Sequence, residues 1–127
     1  IYSLKITDRN EILVGGGTMS FSDFPSLPGA HQPHSNGGRS EGFVSLLNTK
    51  GDLLHSTFLG SDLYDQIYFV ESDRDNNFYA LGQTQSILFP NFGTSIANVG
   101  AGQFIVEFDS TLSQLEFSHL RKHQHWS

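Results

Sequence analysis

The sequence predicts an all-β fold, and three observations carry that prediction. Apolar residues come in short alternating runs separated by turn-forming residues, the pattern of short strands. Glycine occurs 13 times while charged residues make up only 16% of the chain, which favours tight turns over long solvated helices. An ordered set of residues also occurs twice, the second time 61 to 66 residues after the first. The matched pairs are Ile1 and Ile67, Tyr2 and Tyr68, Gly16 and Gly82, Thr18 and Thr84, Ser20 and Ser86, Phe24 and Phe89, Pro25 and Pro90, and Phe43 and Phe104.

A repeat of this length filled with strands is typical of β-propeller blades, because helical repeats are shorter and do not consist of short strands separated by turns. We therefore expect about two four-stranded antiparallel β-propeller blades, formed by residues 1–60 and residues 61–127. The strand pattern opens directly at Ile1 without an initiator methionine. This opening favours a fragment of a larger propeller, with further blades of the same polypeptide as its neighbours.

The first unit begins with a strand over residues 2–6, in which apolar and polar residues alternate as expected when one face is buried. A turn at 7–10 leads to a second strand at 11–14, which we expect the three glycines 15–17 to end. The following segment, 18–41, contains three prolines and is predicted to be a loop, because proline lacks the donor that a central strand needs.

A second hairpin completes the first unit. Its strands are predicted at 43–47 and 53–59, and the turn between them contains Asn48 and Gly51, which favour turn conformations. A polar joint at 60–66 has the length that links one sheet to the next in a radial array.

The second unit repeats the same order of elements. We expect strands at 67–71, 78–81, 104–108 and 115–120, with turns at 73–76 and 109–113 and a loop near 92–102.

These motifs resemble the SBBP repeat, a bacterial β-propeller repeat. In the first unit the resemblance lies in Phe24-Pro25, Pro28-Gly29-Ala30, the run from Gly42 to Asn48, Gly51, and the run from Ser56 to Gly60. The second copy matches through the run from Phe104 to Asp109 and the run from Ser118 to Leu120, but Leu112 stands where the first has Gly51, and Arg121 where it has Gly60.

The motifs shared with the SBBP repeat are strand cores and turn residues, so the resemblance implies a fold and no catalytic residues. It also implies a large exported protein of the bacterial cell surface or envelope.

Charge and composition exclude several classes of function. The net charge is −6 without any basic run, so a nucleic-acid backbone would be repelled. The absence of cysteine excludes a disulfide framework and a thiolate metal site. No apolar stretch reaches the roughly 18 residues of a membrane helix, so we expect no membrane insertion by this segment.

The spacing of Asp73, Asp75 and Asn77 is that of the first oxygen ligands of a calcium loop. The loop lacks its other requirements, because Phe78 takes the position of the sharp-turn glycine and Thr84 that of the closing glutamate. We therefore predict a hairpin turn, which Asp and Asn favour by bonding their own backbone.

Histidines could hold zinc, and five of them fall into two groups. The residues concerned are His31, His34, His119, His123 and His125. We favour loop and surface positions, because the first two lie in or beside a proline-rich run and the last two in a polar terminal run.

Catalytic and ligand-binding patterns are weak. Asp62 and Asp65 form an acidic pair, but a propeller glycosidase needs several acids converging on its channel. The glycines 15–17 are not followed by a helix pattern that would present an N-terminus to a phosphate. Phenylalanines of the long loops could form a binding surface, although packing on their own blade explains them better; these are Phe21, Phe24, Phe89 and Phe92.

We therefore assign no catalytic, cofactor-binding or metal-binding residue and predict no cofactor and no enzyme activity. The expected function is a noncatalytic scaffold or protein-interaction module of a bacterial exported, cell-surface or envelope-associated protein. The alternative is a carbohydrate-binding or carbohydrate-active propeller whose active residues lie largely outside this segment.

Overall fold

The computed structural model describes residues 1–20, 25, 29–30, 32–34, 40–60, 64–84 and 102–122, the last eight by their backbone alone. Within these ranges the chain forms eight β-strands and no helix, which confirms the all-β class. The strands are β1 (Ser3–Ile6), β2 (Ile12–Thr18), β3 (Glu41–Leu47), β4 (Leu53–Leu59), β5 (Asp65–Ser72), β6 (Phe78–Thr84), β7 (Gly102–Phe108) and β8 (Leu115–Lys122).

The strands form two four-stranded antiparallel sheets, each in the order of the sequence. Sheet 1 contains β1 to β4 and sheet 2 contains β5 to β8. Consecutive strands lie side by side, as expected when short turns join antiparallel neighbours. Asn10 and Asn76 occupy equivalent turns of the two sheets with left-handed backbone angles (φ 58° and 63°), a conformation that asparagine tolerates.

The pairing registers of the two sheets correspond residue by residue. Gly16 lies opposite Phe43 in sheet 1, and Gly82 lies opposite Phe104 in sheet 2. A register shift near the end of the third strand also occurs in both sheets, at Leu46/Leu47 and at Glu107/Phe108. The last two ladders of each sheet therefore place equivalent residues in equivalent positions, whereas the first ladder has a register shift only in sheet 2, between Ile67 and Phe69.

Two of the predicted strand ends were wrong. The glycines 15–17 lie inside β2, and Gly82 lies inside β6, so both strands continue to a threonine. A glycine weakens a strand without ending it when another chain approaches closely. Here the place of a Gly15 side chain is taken by Ile67 and Val70 of sheet 2.

The joint between the sheets is also shorter than expected. Residues 65 and 66 were assigned to the polar joint, but β5 begins at Asp65. The Asp65 amide donates a hydrogen bond to the carbonyl oxygen of Ser40 (3.0 Å), and Asp65 pairs with Thr84 in the ladder. These bonds extend the strand because its backbone N–H and C=O groups find hydrogen-bond partners in both sheets.

The two sheets pack against each other through β5, which contacts β1, β2 and β3. The backbone amide of Val70 donates to Ser3 Oγ (3.1 Å), and Lys5 forms an ion pair with Glu71 (3.1 Å). The core between the sheets combines apolar residues of both: Leu13, Val44, Leu46, Leu59, Ile67, Val70, Phe78, Ala80, Phe104, Val106, Phe108 and Leu112.

Leu112 combines backbone strain with complete burial, and this predicts the effect of replacing it. Its φ of 54° is left-handed, a conformation that costs leucine about 1–2 kcal/mol. Removing a buried leucine side chain costs about 2–5 kcal/mol, so Leu112→Gly should lower the free energy of unfolding by about 1–3 kcal/mol net. Urea denaturation measures this change.

The matched control for this prediction is Gly51→Ala in the equivalent turn of sheet 1. Gly51 has a φ of 85° and nothing within 4 Å of an added Cβ, so the change adds strain without packing. It should lower stability by about 1 kcal/mol. A Leu112→Gly variant as stable as the parent would contradict a packing role for Leu112.

Candidate functional site

The strongest cluster of polar side chains lies where the two sheets meet, at the start of β3 and β5. Glu41 and Asp65 are both completely buried there. Gln32 Nε2 donates to Glu41 Oε2 (2.6 Å), and Thr84 Oγ1 donates to Asp65 Oδ1 (2.5 Å). Burying a carboxylate is costly unless it is hydrogen-bonded, and these bonds offset that cost.

The two buried carboxylates approach each other beside Gly60. A Cβ added to Gly60 would lie 2.7 Å from Asp65 Oδ2 and 2.7 Å from Glu41 Oε2. Both oxygens therefore lie against the same α-carbon, and no side chain would fit between them. The Gly60 amide donates to Gln32 Oε1 (2.9 Å), so Gln32 joins the loop before β3 to the end of β4.

A second group of polar residues extends the cluster along β5. Gln66 Nε2 donates to Tyr64 OH (2.8 Å) and to Ser40 Oγ (3.3 Å). The Gln66 side chain occupies the space beside Gly17 that a larger residue would need. Gln66 Oε1 is buried and has no hydrogen-bond partner among the described residues, a cost of about 1–3 kcal/mol that the surrounding packing must offset.

This cluster, here called the polar junction, consists of Gln32, Ser40, Glu41, Gly60, Tyr64, Asp65, Gln66 and Thr84. Its carboxylates have no exposed surface and already accept hydrogen bonds from neighbouring side chains. A substrate would have to displace these bonds before reaching either acid. Ser40 joins the two sheets at this junction, because its backbone and side chain are hydrogen-bonded to Asp65 and Gln66 of β5.

The loop of Asp73, Asp75 and Asn77 forms the hairpin turn that was expected in place of a calcium site. Asp73 Oδ1 accepts hydrogen bonds from the backbone amides of Asp75 and Asn77, both at 2.9 Å. The backbone bond from Asn77 is the main cause of a lowered Asp73 pKa. Among the described residues, no three His, Cys, Asp or Glu side chains are placed to share a metal ion.

The pKa of Tyr79 reports on the hydrogen bonds of this turn. Its hydroxyl donates to Asp73 Oδ2 (3.0 Å), and this bond raises the pKa of Tyr79 from 10.0 to about 12. Since the folded pKa is raised, the stabilisation from this group should be present below pH 10.0 and lost as the pH rises through about 12. Burial also raises the pKa of Tyr68, so titration of tyrosinate absorbance should show Tyr79 as the last component.

Two variants identify the late component. Tyr79→Phe should remove it, and Asp73→Asn should move it toward the ordinary value because the acceptor loses its charge. An unchanged titration curve in both variants would contradict the assigned hydrogen bond.

The other candidates that lie among the described residues are not brought together. His34 is exposed, and the backbone of His119 lies in β8. Asp65 is buried in the polar junction, and glycines 15–17 lie in β2, where the sheet ladder uses their backbone groups. The remaining candidates lie outside the described residues: His31, His123, His125, Asp62, Phe21, Phe24, Phe89 and Phe92.

One surface was interpreted wrongly from the sequence. The alternation in β1 predicted that its apolar residues face the core, but Tyr2, Leu4 and Ile6 are 61%, 60% and 53% exposed. The intervening Ser3 and Lys5 instead contact sheet 2. Alternation indicates which residues share a face, while the neighbouring sheet decides which face is covered. We call Tyr2, Leu4 and Ile6 the β1 row.

The comparisons with known proteins leave the family open. No protein-family model matches the chain, and no curated protein matches its sequence. In the described part of the chain, no helix is long and apolar enough to cross a membrane.

Proposed function

We propose that this chain forms two blades of a noncatalytic β-propeller scaffold or protein-interaction module. The observation that carries the proposal is the face-to-face packing of two four-stranded sheets with the same strand order. Propellers are built by repeating four-stranded sheets around a central channel. Here the first strand of sheet 2, β5, makes the contacts with sheet 1.

The positions of the buried acidic side chains support the noncatalytic part of the proposal. Glu41 and Asp65, the completely buried acids of the described chain, both serve the polar junction. A glycosidase instead directs its carboxylates toward a bound sugar. The setting in a bacterial exported, cell-surface or envelope-associated protein rests on the resemblance to the SBBP repeat.

An experimental structure of the full-length polypeptide tests the architecture. The proposal expects further four-stranded sheets of the same polypeptide, arranged with these two around a common axis. A closed barrel, or a sandwich complete with two sheets, would overturn the propeller.

The function is tested by exposing the purified full-length polypeptide to two sets of partners, envelope proteins and a panel of oligosaccharides. A scaffold should retain a protein from its native envelope that elutes as a defined complex and rebinds when purified. Binding or cleavage of an oligosaccharide without a protein partner would overturn the proposal in favour of the carbohydrate alternative.

The matched control for both arms is a polypeptide in which Thr111, exposed at a turn of sheet 2, is replaced by alanine. This change removes an exposed hydroxyl that is hydrogen-bonded to Ser113 Oγ (2.7 Å) and should leave the binding of proteins and oligosaccharides unchanged.

A further inference from the structure

Two apolar surfaces have no covering element among the described residues. One is the β1 row of sheet 1. The other, here called the outer face of sheet 2, consists of Phe69, Leu81 and Ile105, which lie side by side in the ladders of β5, β6 and β7. Phe69 is 65% exposed, and Leu81 and Ile105 are half-buried. Exposed apolar surfaces of neighbouring residues favour contact with another protein surface.

The packing of sheet 1 against sheet 2 shows what covers the surface equivalent to the β1 row. Leu4 pairs opposite Val14 in sheet 1, and Val70 pairs opposite Ala80 in sheet 2, so Leu4 and Val70 are equivalent. Val70 is only 5% exposed because it packs against sheet 1, whereas Leu4 is 60% exposed. The β1 row of sheet 1 therefore corresponds to the surface of sheet 2 that sheet 1 covers.

The outer face of sheet 2 corresponds to the surface of sheet 1 that packs against sheet 2. Leu81 and Ile105 are equivalent to Gly15 and Val44 of sheet 1, as their ladders show. Gly15 and Val44 are buried, and Ile67 and Val70 of β5 occupy the space beside Gly15. The chain therefore carries a second pair of surfaces at positions equivalent to those of its internal contact, with the larger Leu81 in the place of Gly15.

The polar and aromatic contacts of the internal interface also continue in this arrangement. Tyr2 and Tyr68 meet edge to face with ring centres 5.5 Å apart, and Lys5 pairs with Glu71. A second sheet 1 placed against sheet 2 would bring its own tyrosine 2 and lysine 5 beside Tyr68 and Glu71, in addition to the partners that these two residues have within the chain. The incoming side chains would again be aromatic against aromatic and cation against anion.

We propose that a second copy of this chain docks head to tail, with its β1 row on the outer face of sheet 2. The inference rests on the scaffold proposal, in which sheets pack face to face: on these surfaces a second copy of the 127-residue chain takes the place that a further sheet of a longer polypeptide would take. Leu81 stands where sheet 1 has Gly15, so the second contact is wider than the internal one and weaker. Because the two surfaces differ, the contact is heterologous and can add further copies until a ring closes.

The experiment measures the mass of the 127-residue chain by analytical ultracentrifugation over a roughly hundredfold range of concentration. The average mass should rise above the monomer value of 14.1 kDa as concentration increases. Leu4→Glu blocks one surface and Phe69→Glu the other, and each variant alone should stay at the monomer mass. Both side chains are exposed, so the folded chain should tolerate the charge.

Mixing the two variants provides the decisive result. An equimolar mixture should form a dimer that grows no further, because only the outer face of the Leu4→Glu chain and the β1 row of the Phe69→Glu chain remain open. Met19→Glu is the matched control, since Met19 is 78% exposed and belongs to neither surface; it should associate like the parent.

Three results would overturn the inference: a parent chain that stays monomeric at every concentration, a mixture that stays monomeric, or a Phe69→Glu chain that dimerises alone. Urea melting of each variant verifies that it is folded. A monomeric chain would leave the scaffold proposal standing, since that proposal is tested separately by envelope-protein and oligosaccharide binding.

Discussion

Replacing Gly82 by valine should abolish the soluble folded protein. Gly82 lies in the middle of sheet 2, opposite Ile67 on one side and Phe104 on the other. An added Cβ would overlap the carbonyl oxygen of Gln66 and lie 2.8 Å from Phe104 Cζ. The carbonyl belongs to the backbone of β5 and cannot move aside without breaking the ladder.

The expected loss for Gly82→Val exceeds about 3 kcal/mol, the upper end of ordinary overpacking, because the obstacle is backbone. A small domain has only about 5–15 kcal/mol of stability, so much of the protein should be insoluble or unfolded. Soluble yield, circular dichroism and urea denaturation measure the effect.

The control for Gly82→Val is Gln83→Val at the next position of the same strand. The Gln83 side chain is half-buried and makes an exposed hydrogen bond with the Tyr68 hydroxyl, so its replacement should change stability by less than about 1 kcal/mol. If Gly82→Val folded with unchanged stability, the position of β6 between β5 and β7 would be wrong.

Replacing Gly15 by leucine should separate the two sheets. The Cβ of the new side chain would lie 2.7 Å from Val70 Cγ1 and 2.8 Å from Ile67 Cγ2, and the rest of the leucine would extend further into sheet 2. The contact between the sheets contains much of the apolar core. We expect a loss of about 3 kcal/mol or more, because several buried side chains would be displaced together.

A graded series isolates the physical cause. Gly15→Ala should cost less than Gly15→Leu, since the nearest atoms are ends of side chains that can shift. Combining Gly15→Ala with Val70→Ala should cost less than the two single changes added together, because the smaller residue 70 makes room for the new methyl group. Additive losses would contradict direct packing of these two residues.

Most of the strands and turns could be predicted because their signals are local. Alternating apolar residues mark the strands, and Asn10 and Asn76 supply left-handed turns at equivalent places. The correspondence of Leu112 with Gly51 could also be derived from the sequence, and both residues have left-handed backbone angles in the structure. What failed were the ends of β2 and β6, because a glycine next to a closely packed neighbour continues a strand.

The polar junction could not be predicted in the same way. Glu41 was placed in a loop and Asp65 in a joint, and nothing in their sequence neighbours indicates that they meet beside Gly60. They come together because β3 and β5 belong to different sheets that happen to pack at this end. A charged residue is expected at the surface unless its partners are known, and these partners are distant in sequence.

By itself the sequence determined the all-β class, the approximate positions of eight strands and the equivalence of Gly16 with Gly82. Only the tertiary structure decided which face each strand buries, because that depends on the neighbouring sheet. The same alternation leaves Leu4 exposed and its counterpart Val70 covered. Hydrophobic burial acts on surfaces brought into contact, and residues far apart along the chain create those contacts.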